Sequence, residues 1–134
     1  MLGTLPEYID KAENDVRLSQ ELLQRSEHLD WCIVTLFYFT LHCVNGHAAQ
    51  IDRSEFEKSK YKNDDDHTKR IKYARSIDRQ FAKLYSKLYS KSRQCRYDPV
   101  YYKYIKKDTV QRLFDESKAL CIKCRLFPGV RFKT

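Results

Sequence analysis

Apolar positions recur along most of this chain at spacings of three and four, the signature of amphipathic helices. Leu5, Tyr8, Ile9, Ala12, Val16, Leu18, Leu22 and Leu23 form one such stripe, with charged residues on the other face. Pro6 suits a first helical turn, where its missing N–H has no partner to lose. The pattern predicts a first helix over 6–27. The next segment, "LDWCIVTLFYFTLHCVNGHAAQ", is apolar almost all round from Trp31 to Val44. It predicts a central buried helix over 30–50, with Asp30 placed to cap its first turn. Within it Trp31, Thr35, Tyr38, His42 and Asn45 recur at steps of three and four, so the polar atoms concentrate on one stripe.

Residues 51–65 are polar without a period and read as a loop. Asp64, Asp65 and Asp66 then precede "HTKRIKYARSI", where carboxylates favour a helix N-terminus by capping and by the dipole. The third helix so begun sets His67 and Arg70 one turn apart. A fourth helix runs from Asp78 to about Arg96 and is readable as a continuation of the third. Its "LYSKLYSK" repeat stacks Leu84 on Leu88 and Tyr85 on Tyr89. The tyrosine line continues to Ser92 and Arg96, with Arg93 beside it. Pro99 ends this helix, because the residue before a proline disfavours the α region. A fifth helix is expected from about Thr109 to Leu126, with capping-box spacing between Asp108 and Gln111. Its buried stripe is Val110, Leu113, Phe114, Ser117, Leu120, Cys121 and Cys124. Pro128 and Gly129 stop it, and the tail over 128–134 is expected to be loose.

These elements add up to an all-α fold, an up-and-down bundle of four to five helices in one domain. With 134 residues, 3 Gly and 3 Pro, tight turns are too few for a sandwich or barrel. The formal charge is +8, an excess that favours a polyanionic partner, nucleic acid first. The 5 cysteines are odd in number, and the N-terminal residues show neither the basic nor the apolar region of a signal peptide. Reduced thiols and a cytoplasmic location follow. The apolar run of the second helix reads as too short for a membrane span, which needs about 20 residues free of polar groups.

Cys121 and Cys124 have the spacing of half a zinc site, but no second pair accompanies them, and buried small hydrophobes account for them as well. No metal and no cofactor is expected: no phosphate-cradling glycine loop and no nucleophile elbow is present. Asp64–Asp66 are explained by capping rather than by a divalent ion. His42 is open to two readings, a core histidine bonded by Tyr38 and Asn45 or a functional group. Residues 85–104 hold 6 tyrosines together with Arg93 and Arg96. Tyrosine rings stack on unpaired bases and arginine forks match phosphate oxygens. Tyr85, Tyr89, Tyr101 and Lys103, with Arg70, are therefore candidate RNA contacts; a tyrosine packing face with solvated lysines is the other reading.

The order "LDWCIVTLFYFTLHCVNGHAAQ", "DDHTKRIKYARSI", "YSKLYSKSRQCRYD" and a last helix resembles the HEPN superfamily (higher eukaryotes and prokaryotes nucleotide-binding), in particular its small stand-alone members. The resemblance spans about residues 6–127. It implies a helical bundle, frequent homodimers and, for many members, a metal-independent endoribonuclease of toxin–antitoxin, abortive-infection or CRISPR-linked defence. A nucleotidyltransferase antitoxin or another defence protein is an implied partner, and no membrane is. The family motif is Arg, four to six residues, then His. Here histidines occur only at 28, 42, 47 and 67, and none follows an arginine at that spacing. Positions 98–100 after Arg93 are Asp, Pro and Val; positions 101–103 after Arg96 are Tyr, Tyr and Lys. On the enzyme reading Arg93 and Arg96 hold the phosphate, His42 or His67 is the base, and Tyr97 positions the substrate. The alternatives are a non-catalytic module that binds RNA, a nucleotide or a partner, and a protein-interaction domain without nucleic acid.

Overall fold

The computed structural model describes residues 3–51 and 65–126. Among these residues five α-helices form a bundle: α1 (Leu5–Arg25), α2 (Leu29–Ile51), α3 (Asp66–Ile77), α4 (Arg79–Tyr97) and α5 (Lys107–Lys123), with a short 3-10 turn at Tyr101–Tyr104. There is no strand among the described residues. Of the loop expected at 51–65, Ile51 instead ends α2 and Asp65 caps α3; the rest of it, 52–64, and the tail at 128–134 lie outside the described residues.

A capping box opens α1: Thr4 Oγ1 accepts from the Glu7 amide at 3.4 Å, and Glu7 Oε1 accepts from the Thr4 amide at 3.1 Å. The helix stops two residues earlier than the pattern indicated. Ser26 turns into the left-handed region (φ 55°) and donates its amide back to the last carbonyls. His28 repeats the turn (φ 48°), so three residues reverse the chain and α2 starts at Leu29. Asp30 therefore sits inside the first turn of α2, where it favours the dipole, and is not its cap. The buried line of α1 is Tyr8, Ala12, Val16, Ser19 and Leu23. Leu18, expected on that line, is 44% exposed. Ser19 takes its place because its hydroxyl is satisfied: it donates to the Cys32 carbonyl and pairs with Thr35 Oγ1.

α2 is the central helix. Cys32, Ile33, Leu36, Phe39, Cys43, Val44 and Ala48 are buried, each large side chain contributing about 1.5–3 kcal/mol of transfer free energy. By length and composition Leu29–Gln50 could cross a bilayer, which corrects the expectation that it is too short. Yet 67% of that window is covered by the protein's own helices. Asp30, early in α2, acts electrostatically on Cys95, late in α4, while Phe37 meets Tyr85 nearer the start of α4. The two helices run in opposite directions.

α3 and α4 are separate helices. Asp78 (φ −167°, ψ 132°) closes the first and caps the second, accepting from the Phe81 amide at 2.9 Å. Asp65, the middle of the three aspartates, caps α3 by accepting from the Thr68 amide at 2.7 Å. Extended backbone at Asp98, just before Pro99, ends α4. α5 begins at Lys107 without a side-chain cap. Asp108 lies in its first turn, and Gln111 bonds Asp115 rather than a capping partner. It ends at Lys123, where Arg125 (φ 49°) turns the chain and the Leu126 amide reaches back to the Cys121 carbonyl. The expected stripe of α5 is buried except Cys124, which is half-buried.

Candidate nucleic-acid interface

Three helices bring the polar stripe of α2 together with α3 and the C-terminal half of α4. From α2, Tyr38, His42 and Asn45 contribute; from α3, His67 and Arg70; from α4, Tyr89, Arg93, Arg96 and Tyr97. Trp31 and Thr35 belong to the same stripe by spacing but not to this cluster. Trp31 is 54% exposed near the start of α2, and Thr35 pairs with α1.

The contacts form a connected chain. Arg96 Nη1 donates to the Tyr38 hydroxyl at 3.1 Å, and the Tyr38 and His42 rings stack with centroids 6.4 Å apart. The imidazole at 42 and the guanidinium at 96 thus share one side of the molecule. Arg93 lies over the rings of Tyr89 and Tyr97, at 5.7 and 5.3 Å, and Arg96 lies over Tyr97 at 5.2 Å. His67 stacks on Tyr89 with centroids 3.3 Å apart. Arg70 Nε donates to Asn45 Oδ1 at 3.2 Å, which holds the buried amide of α2 and fixes the guanidinium.

All three arginines rest on neutral partners: an amide oxygen, phenol rings, a phenol hydroxyl and, for Arg96, the Ser92 carbonyl at 3.4 Å. Among the described residues no carboxylate oxygen lies within 4.0 Å of any of them. Among the described residues, positive charge is gathered here without a carboxylate counter-ion in contact. The rings beside it stay open to solvent: Tyr97 is 67% exposed, and Tyr102 and Tyr104 in the following 3-10 turn are 56% and 75% exposed. Tyr101 is half-buried and Lys103 exposed in the same turn. Sequence reasoning singled out Tyr101 and Lys103 but not Tyr102 and Tyr104, although the run "YYKY" offered all of them. Tyr85 is the correction. It is fully buried, packed between Phe37 and His67, and offers no ring face to a base.

The two histidine candidates separate. His42 is held against α1, its Nε2 3.4 Å from Asp15 Oδ2. Burial, aided by Lys11 and Arg70, drives its imidazole down to about 4, and burial raises the Asp15 carboxyl to about 6 against the pull of Lys11. Near neutral pH the imidazole is uncharged, so this contact is not an ion pair despite its length. His42 Nδ1 is buried without a hydrogen-bond partner, closed to a substrate. Asp15 was missed in the sequence because it looks like one more charge on the solvated face of α1. His67 is half-exposed, yet its Nδ1 too is buried without a hydrogen-bond partner, which leaves Nε2 as its candidate proton acceptor. Burial lowers its imidazole below the usual range; Asp65 opposes the shift, and Arg70 and Arg93 add to it. A neutral imidazole thus stands beside two guanidinium groups. His47 is committed elsewhere, its Nδ1 2.8 Å from the Tyr73 hydroxyl.

The cysteines do not join the cluster. Cys121 Sγ lies 3.9 Å from Cys43 Sγ between α5 and α2, and burial pushes the Cys43 thiol up. No group of three His, Cys, Asp or Glu residues suited to a metal ion occurs among the described residues. The chain matches no protein-family model, no curated protein and no solved structure.

Proposed function

We propose that this protein acts on RNA at the face formed by Arg70, Arg93 and Arg96, as a HEPN-like metal-independent endoribonuclease. The observation that carries the reading is an arginine set with no carboxylate within 4.0 Å among the described residues, with solvent-open tyrosine rings beside it. Guanidinium forks suit phosphate oxygens, and open rings suit unpaired bases. Cleavage without a metal needs a group to take the 2′-hydroxyl proton and cations to stabilise the phosphorane. His67, neutral near pH 7 and flanked by Arg70 and Arg93, suits the first role; Arg93 and Arg96 suit the second. Tyr97, between those two guanidinium groups, would position the strand. Tyr89 supports His67 from below rather than meeting the substrate. His42 serves as a packing group that holds Tyr38 under Arg96.

A second reading, an RNA- or nucleotide-binding module without catalysis, is favoured by one feature. The family's Arg-to-His spacing is absent, and the His67 ring is covered on one face by Tyr89. Incubation of the purified protein with labelled RNA in EDTA separates the two. Cleavage that disappears in Arg96→Ala and His67→Asn supports the enzyme. Binding that weakens in Arg96→Ala without any cleavage supports the module. Cleavage unchanged in both variants would remove this site from the account. On the HEPN resemblance the protein pairs as a homodimer and serves a toxin–antitoxin or phage-defence system, with a nucleotidyltransferase antitoxin as one partner. Light scattering on the purified protein and co-purification with its genomic neighbours test those points.

A further inference from the structure

Beyond the cluster, α4 carries a second line of residues. Arg79, Lys83, Ser86, Ser90, Arg93 and Tyr97 follow one another at alternating steps of four and three, so they share one stripe of the helix. All are exposed or half-exposed, and none is acidic. The C-terminal end of the stripe is the Arg93–Tyr97 stack. Its N-terminal end opens into a groove of about 630 Å³ between α3 and α4, lined by Arg75, Ser76, Arg79, Ala82, Lys83 and Ser86.

This groove repeats the electrostatic feature of the first site. Among the described residues no carboxylate lies within 4.0 Å of Arg75, Arg79 or Lys83. Asp78, the acid at the joint of the two helices, is engaged away from them. Its Oδ2 accepts from the Phe81 amide, and its Oδ1 lies 3.9 Å from Lys123 Nζ. Three cations and the Ser86 hydroxyl, without an aromatic ring, suit phosphate and sugar oxygens and offer nothing that distinguishes one base from another; the Ser76 hydroxyl already donates to the Tyr73 carbonyl at 2.6 Å and is left as an acceptor.

We propose that the groove is a second phosphate-contacting subsite, in which the backbone of an RNA strand held at Arg93 and Arg96 continues along α4 to Arg75, Arg79 and Lys83. The inference rests on the RNA reading of the first site. Fourteen residues separate Arg79 from Arg93, a rise of about 21 Å. That is the length of roughly six stacked nucleotides at about 3.4 Å each. A strand much shorter than this reaches one site only.

The test is fluorescence anisotropy with labelled oligouridylates of about three and about twelve nucleotides, titrated at several salt concentrations. The proteins are wild type, Arg75→Gln/Arg79→Gln/Lys83→Gln and Arg93→Gln/Arg96→Gln. The groove variant is expected to bind the longer strand about tenfold or more weakly at low salt. Its log–log salt slope should be shallower by about two, the share of three single-strand phosphate contacts. Its affinity for the shorter strand should equal that of wild type. The single Arg79→Glu variant, a change at an exposed position, should show the same length-dependent loss in smaller measure. A groove variant that matches wild type on the longer strand, while the Arg93/Arg96 variant loses binding, overturns the subsite and leaves the RNA reading standing. Wild type that binds neither strand overturns both.

Discussion

The Asp15–His42 contact makes a prediction about stability that an ion pair would reverse. Both groups are largely enclosed, with about one-fifth of each side chain exposed, and both titrate away from their ordinary values in the direction that keeps them neutral. Asp15 is raised from 3.8 to about 6. Between those values the native state binds more protons than the unfolded chain, so this group's stabilisation is complete below pH 3.8 and is lost as pH rises through 6. His42 is lowered from 6.5 to about 4. Between those values the unfolded chain binds more protons, so its stabilisation is complete above pH 6.5 and is lost as pH falls through 4. At about 1.4 kcal/mol per pH unit, each displacement corresponds to about 3 kcal/mol, reduced to about 1–2 kcal/mol for partly exposed groups. In wild type the two slopes oppose one another and largely cancel between pH 4 and 6.5. Single variants expose them. In Asp15→Asn, unfolding free energy from urea titrations should climb by about 1–2 kcal/mol from pH 4 to 6.5. In His42→Gln it should fall by a similar amount over the same range. Parallel profiles for all three proteins would refute the reasoning. So would a wild-type optimum near pH 5 that both variants lose, which is the mark of a charged pair.

Three further outcomes follow from single side chains. The Tyr85 hydroxyl is buried and meets no partner at strict hydrogen-bond geometry, while Arg70 approaches it both as a charge and as a hydrogen-bond donor that falls short of that geometry. Tyr85→Phe should therefore raise stability by about 1 kcal/mol, a rise in melting temperature of about 3–5 °C for a domain of this size; a loss of stability would show that Arg70 satisfies the hydroxyl. Asp78→Ala removes the cap of α4 and should lower stability by about 1 kcal/mol in chemical denaturation, with Asp78→Ser recovering most of it. Ser19→Ala removes one buried and one partly buried hydrogen bond between α1 and α2 and should lower stability by about 1–2 kcal/mol; no change in a thermal melt would mean Thr35 alone satisfies that interface.

The bundle was legible in the sequence where one physical signal dominated. The unbroken apolar run of α2 required burial on all sides, and the paired leucines at 84 and 88 fixed the inner face of α4. Boundaries were less legible because they turn on backbone states that side-chain pattern does not encode. Ser26, His28 and Arg125 adopt the left-handed region without being glycine, and each sets a helix boundary that periodicity placed one to three residues away. Polar residues inside the core were the other blind spot. Ser19 is buried because Cys32 and Thr35 on another helix meet its hydroxyl, and Asp15 faces His42 rather than water. Within the candidate site, spacing alone put His42, Asn45 and Tyr38 on one face and Arg93 with Arg96 near the tyrosine line. Spacing did not decide which ring is open. Tyr85 and Tyr89 repeat every four residues, yet the first lies beneath His67 in the core. Choosing between His42 and His67 needed the neighbours of each imidazole, which come from different helices.

The central claim is that the arginine and tyrosine face around α4 and the 3-10 turn is where RNA lies. Photo-crosslinking of the protein to a 4-thiouridine-substituted RNA strand, with the adducts located by mass spectrometry, tests it most directly. Adducts should concentrate at Tyr97, Tyr101, Tyr102 and Tyr104 and vanish from them in Arg93→Gln/Arg96→Gln. Adducts centred instead on Trp31 or His28 near the start of α2, or a pattern indifferent to the arginine replacements, would contradict the account.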